Sequence, residues 1–248
     1  MDQKLIEKLR QKSKILIDQL NNIPIFFVTA ESMDSHCSTK CLGRECTMEL
    51  VMSFVKEGPN RYLERNSGGG RYIGLAVENI LGRIEHCLMN CNPLGCYIPY
   101  GDDISEKPHI LICPERIKPK NETQFQDLLL VVIIHELTHA FFSTGSDLND
   151  ISKHIIEESL CDAYAFSKLG ENEEIYEFRA DHKRPPEYTA FKFWIEYSIY
   201  RPLIVNIVDW KNKDYNSFCN AVFQPLPRQF TFGSLSLEKT ALTILALS

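Results

Sequence analysis

The sequence predicts an α+β fold, and two kinds of segment predict it. Three short apolar runs, IPIFFVTA (Ile23–Ala30), LGCYIPYG (Leu94–Gly101) and PHILICPERI (Pro108–Ile117), are rich in β-branched and aromatic residues and bounded by turn formers. Longer segments at 2–20, 124–142 and 151–169 space their apolar residues for helices instead. No stretch reads as an interdomain linker. One domain over 1–248 is therefore expected, with a helical and strand part at 1–93, a central core at 94–170 and a helical part at 171–248.

Residues 2–20 place Leu5, Ile6, Leu9, Leu16, Ile17 and Leu20 along one stripe, which predicts an amphipathic helix. Ile23–Ala30 follows as a buried strand. CTMELVMSFVK (46–56) reads as a helix stopped by Gly58–Pro59. RNSGGGR (65–71) lacks the Lys-Ser/Thr ending of a phosphate-binding loop and reads as a plain loop. A further helix is expected over 72–89. The strands at 94–101 and 108–117 are joined by the polar loop DDISEK, and two helices follow, the second ending at Gly170. Pro185–Pro186 opens another helix, EYTAFKFWIEYSIY, broken at Pro202, and the apolar tail 234–248 reads as a docked terminal helix.

Composition narrows the function classes. The net charge of −6 gives no electrostatic case for nucleic acid or an anionic membrane, so neither is expected as a partner. The N-terminus mixes charged and apolar residues too closely for a signal peptide, and no apolar run reaches the ~20 residues of a membrane span. A cytoplasmic location is expected. Nine cysteines, an odd number without an export signal, argue for reduced thiols or metal ligands over a disulfide framework.

The chemistry concentrates in VVIIHELTHAFF (131–142). His135, Glu136 and His139 form H-E-x-x-H, and on a helix positions i and i+4 stand one above the other, so both imidazoles reach one ion. Glu136 lies ~100° round the helix, beside the ion, where it can deprotonate a water. The preceding LLLVVII is β-branched enough to suggest a strand, but the apolar pattern continues through Leu137, Ala140 and Phe141, too long for one. A strand would also hold the two histidines ~13 Å apart.

Two imidazoles leave a catalytic zinc short of its third protein ligand. The metzincin continuation is excluded, because Phe142 and Gly145 stand where its glycine and third histidine belong. IIEESLCDAYAF (155–166) offers Glu157 and Glu158. Glu158 is preferred, since Asp162 at i+4 could accept the outer N–H of a ligating histidine, whereas Glu157 has Cys161 there.

HELTHAFF followed by ESLCDAYA resembles the gluzincin class of zinc metallopeptidases, whose pattern is H-E-x-x-H with a downstream E-x-x-x-D. The second half is also similar to the E-x-x-A-N-x-x-A helix of metallopeptidases that cleave phage repressors. The likeness covers about 94–166, including GCYIP and HILIC as the strands before the active-site helix. It implies a minimal gluzincin core, a small mixed sheet packed on an active-site helix and a glutamate helix. It further implies one Zn2+ held by His135, His139 and Glu158, Glu136 as general base, and a peptide or protein substrate. An edge strand at Ile110–Cys113 would pair with that substrate. His182, Arg184 and Tyr188, in DHKRPPEY, are candidates for stabilising the oxyanion, with a solvated loop as the plainer reading.

A second pattern stands apart. HCSTKCLGREC and HCLMNCNPLGC share H-C-x-x-x-C-x-x-x-x-C, which brings in Cys37, Cys41, Cys46, Cys87, Cys91 and Cys96 beside His36 and His86. Soft thiolates suit a second metal, but the spacing matches no common zinc or cluster signature, and buried or partly redox-active thiols are the plainer reading. Cys113, Cys161 and Cys219 read as buried singletons. A metallopeptidase leads these readings. A non-catalytic zinc-binding regulatory module and a thiol-based sensor with proteolysis as its output are the alternatives.

Overall fold

A computed structural model describes residues 3–16, 23–36, 93–119, 121–142, 151–169, 190–196 and 244. It is α+β, with several helices and a small mixed sheet of three strands. The chain divides into two compact units, each drawn from several stretches. One takes 1–40, 90–146 and 164–178, and the other 41–89, 147–163 and 179–248.

In the first unit α1 (Gln3–Leu16) precedes β1 (Ile25–Phe27), and α2 (Ala30–His36) follows at once. β2 (Gly95–Ile98) and β3 (His109–Ile112) come next, then a 3-10 turn at Pro114–Arg116 and the long α3 (Glu122–Phe142). The sheet order is β1-β3-β2. β1 runs parallel to β3, pairing Phe26 with Leu111, and β2 runs antiparallel, pairing Cys96 with Leu111. His109, Ile110, Leu111 and Ile112 are all buried, as a central strand covered on both faces requires.

That order corrects one expectation. Ile110–Cys113 was read as the edge that would take a substrate strand, but Ile110–Ile112 are paired on both sides, with β1 and with β2. Among the described residues the outer strand beside α3 is β2.

The first strand is also shorter than Ile23–Ala30, because Thr29 starts a helix that the sequence reading passed over. Its hydroxyl accepts the Ser32 amide at 3.2 Å and its carbonyl accepts the Met33 amide at 2.9 Å. That is the N-cap role Thr commonly fills. α2 is clamped from the 3-10 turn by two neighbours. Glu115 accepts the Ala30 amide, and Arg116 bonds the carbonyls of Ala30 and Pro93 and pairs with Asp34 at 2.6 Å. Met33, Leu111 and Cys113 form the buried centre beneath it, with Phe26, Val28, Cys96 and Ile98 packed around. Burial raises the Cys113 thiol above its ordinary pKa, outweighing the hydrogen bond from the Arg116 amide. α1 is fastened by Arg10, whose guanidinium bonds the Ile25 carbonyl and lies 5.4 Å over the Phe27 ring.

In the second unit the first part of α4 (Ile151–Leu169) and the short α5 (Phe191–Glu196) are described. Trp194 donates its indole N–H to Ser159 at 2.9 Å, and both side chains are fully buried. The unit boundary falls inside α4, between Ala163 and Tyr164, and the helix itself is unbroken.

The helices expected at 46–56 and 72–89, the loop at 65–71 and most of the tail at 234–248 lie outside the described residues, apart from a buried, helical Ile244. No described helix is long and apolar enough to cross a membrane.

Candidate metal centre

α3 carries the H-E-x-x-H motif. It starts where Asn121 accepts the Gln124 amide on its side chain at 2.9 Å, a cap three residues ahead of the amide it satisfies. Every side chain from Leu128 to Ala140 is buried. A helix apolar on all sides belongs in a core, and burial overrides the weak helix preference of the β-branched run. The same burial encloses the polar groups, so that His135, Glu136 and His139 are 5%, 7% and 7% exposed.

The i, i+4 spacing acts as the sequence suggests. The Nε2 atoms of His135 and His139 face one another at 3.0 Å, and the rings meet edge to face with centroids 4.8 Å apart. Thr138, between them, turns its hydroxyl back to the Ile134 carbonyl at 2.7 Å and stays out of the cluster.

The third member comes from α4, whose residues from Ile155 to Phe166 are buried. Ligand atoms of His135, His139 and Glu158 all lie within 4.8 Å of one another, so this buried group could hold a metal ion. The group includes Glu158 and not Glu157, although both are buried. Asp162, one turn beyond Glu158, is buried as well.

The donor set fits zinc. Imidazole nitrogen and carboxylate oxygen bind it at about 2.0–2.2 Å, which puts ligand atoms of a tetrahedral site about 3.3 Å apart. The 3.0 Å between the two imidazole nitrogens is close to that spacing. At that distance one Nε2–H can donate to the other Nε2, or a cation between them can take both lone pairs.

Gly95 acquires a role only from the fold. A Cβ on this residue would lie 2.7 Å from Glu136 Cγ, 2.8 Å from Glu136 Oε1 and 2.8 Å from Val132 Cγ1. The first residue of β2 thus lies directly against Glu136, and only glycine leaves room for that approach. A glycine opening a strand just ahead of an H-E-x-x-H helix was the available signal.

His182, Arg184 and Tyr188 lie outside the described residues, as do Cys37, Cys41, Cys46, Cys87 and Cys91. Cys96 is described, on β2 and packed against Met33, Leu111 and Cys113. No protein-family model matches the chain, and no curated protein or solved structure is significantly similar to it.

Proposed function

We propose that the chain is a zinc-dependent metallopeptidase of gluzincin type, with a minimal core made of the small sheet, the H-E-x-x-H helix α3 and the glutamate helix α4. The observation that carries this reading is the convergence of His135, His139 and Glu158 to within 4.8 Å, with buried Glu136 on the same helix turn. His135, His139 and Glu158 would hold the ion, and Asp162 would orient a ligating imidazole. Zinc bound there supplies Lewis-acid polarisation of a carbonyl and lowers the pKa of a water.

The remaining work falls to the chain's own groups. Glu136 takes a proton from the attacking water as its oxygen bonds to the scissile carbonyl carbon. It then delivers that proton to the amide nitrogen as the C–N bond breaks. Stabilising the oxyanion is assigned to His182 or Tyr188. An extended peptide is the substrate class that suits the sheet. β2 is the strand whose first residue touches Glu136, so a segment paired along it would lead its backbone to the general base.

Glu136→Gln tests the assignment. It keeps the shape and leaves the three ligands in place, so zinc content should equal wild type. Hydrolysis of an unfolded protein or a diverse peptide library should fall by about 10²–10⁴-fold. A Glu136→Gln chain that cleaves at the wild-type rate would sink the reading. Full zinc occupancy in a wild-type chain that cleaves nothing would point to the non-catalytic module instead.

A further inference from the structure

A second cluster of histidines and carboxylates lies wholly within the first unit, on elements that carry none of the groups assigned to catalysis. His36 closes α2, Asp102 and Asp103 sit in the loop between β2 and β3, and His109 opens β3. Ligand atoms of His36, Asp102 and Asp103 lie within 4.8 Å of one another, and His109 Nε2 is 3.4 Å from Asp102 Oδ1.

Both histidines are held in the same way. Nδ1 of His36 lies 2.8 Å from the Ser32 carbonyl, and Nδ1 of His109 lies 2.9 Å from the Lys107 carbonyl. A carbonyl only accepts, so each Nδ1 carries a proton. In the neutral imidazole that leaves each Nε2 as a bare lone pair.

Those lone pairs point at carboxylates. His36 Nε2 faces Asp103 Oδ1 at 2.8 Å, and His109 Nε2 faces Asp102 Oδ1 at 3.4 Å. The His109 ring is fully buried, is fixed edge-on to Phe26 at 5.6 Å, and its Nε2 has no hydrogen-bond partner. A lone pair against a carboxylate oxygen is repulsive, so each contact needs positive charge. A proton meets that need at His36, where Nε2–H would donate to Asp103, but on His109 it would leave a fully buried imidazolium without a well-formed hydrogen bond. One divalent cation meets it for both.

We propose that His36, His109, Asp102 and Asp103 form a second, structural site for a borderline divalent metal of the zinc class. Two imidazole nitrogens select such an ion over calcium or magnesium, which take oxygen donors. Nδ1–H donated to a backbone carbonyl is the usual support of a metal-bound imidazole. Asp102 is likewise held, its Oδ1 accepting the amides of Ile104 and Ser105 at 2.8 and 3.1 Å. The 3.4 Å from His109 to Asp102 already matches the roughly 3.3 Å between ligands of a tetrahedral zinc; His36 and Asp103 part by about 0.5 Å to admit the ion, and His109, outside the 4.8 Å group of the other three, closes on them as it binds. Four protein ligands close the coordination sphere, so the ion ties the end of α2 to the β2–β3 loop and does no chemistry.

The test is zinc stoichiometry after dialysis against micromolar Zn2+, measured by elemental mass spectrometry on the full chain. His36→Gln/Asp103→Asn removes two of the four ligands at positions open enough to keep the fold, Asp103 being 81% exposed. The zinc count should fall by one ion per chain, and the Zn2+-dependent rise in Tm should shrink relative to wild type. An unchanged zinc count in the double variant overturns the site, and so does a wild-type chain whose Tm is indifferent to zinc while the count stays the same. Retained hydrolysis in the variant, with one zinc fewer, separates this site from the one on α3 and α4.

Discussion

Replacing Gly95 by alanine would move Glu136, the proposed general base, without touching a proposed metal ligand. The added methyl would sit 2.7 Å from Glu136 Cγ and 2.8 Å from Val132 Cγ1, whereas carbon atoms rest at about 3.5–4.0 Å. Val132 is stiff about χ1 and locked in a buried helix, so Glu136 must do most of the yielding, by about 1 Å. A misplacement of that size in a reacting group costs about 10²-fold in rate. Overpacking costs roughly 1–3 kcal/mol, and the flexible glutamate keeps the loss near the lower end. The expected Tm change is then a fall of about 2–4 °C. The assay is kcat/KM on a peptide that wild type cleaves, with zinc content and Tm measured on the same samples. Gly95→Ala should keep its zinc, melt slightly earlier and turn over about a hundredfold more slowly. A Gly95→Ala chain with kcat/KM within threefold of wild type would refute the reasoning, since Glu136 would then tolerate the displacement.

Other perturbations probe the scaffold. Trp194→Phe removes the indole donor to Ser159 inside the second unit, and the lost bond with its cavity should cost about 1–3 kcal/mol, read as an earlier urea midpoint. Arg116→Ala strips Asp34 of its partner and the carbonyls of Ala30 and Pro93 of their donor; a loss of roughly 2–3 kcal/mol is expected, and Arg116→Lys should recover little because one ammonium cannot span three acceptors. Cys113 gives an alkaline test. Its folded pKa lies above the ordinary 9.0, so its contribution is intact below that value and is lost as pH rises towards the folded value. Tyr97, raised by burial from 10.0, acts in the same direction at higher pH. The denaturation midpoint should therefore fall between pH 8 and pH 10, and Cys113 should resist alkylation at pH 8 until the chain unfolds.

What the sequence disclosed was governed by distance along the chain. The helix bearing His135 and His139 was readable because i, i+4 spacing and an unbroken apolar run are local, and the expected 124–142 differs from Glu122–Phe142 only by the Asn121 cap. The same holds for 151–169, whose internal spacing of Glu158 and Asp162 is fixed by one helix. Strand order was not readable. HILI is apolar enough for a centre or an edge, and the choice depends on β1 arriving from far upstream to pair with it. Missing α2 was different in kind, since Thr29 with Ser32 three residues on is a legible cap, obscured by the apolar run that leads into it. The cluster around His109 needed coordinates, because its four groups come from α2, a loop and a strand, and no spacing rule joins them.

The parallel pairing of β1 with β3 also sets an order of assembly. Ala30 and Glu115, which meet at the end of that pairing, are 85 positions apart. Until β3 has been synthesised, β1 has no strand to pair with, since among the described residues it pairs with β3 alone, and the same is true of β2. Closing so long a loop carries an entropic cost that the short strand Ile25–Phe27 repays only when its partner is already in place. Ile25–Phe27 should therefore dock late, onto a hairpin and helix that follow it in sequence but precede it in folding. A ribosome-stalled chain ending before residue 108 should leave Phe26 and Phe27 open to proteases and chaperones, and one extending past Phe142 should close them off.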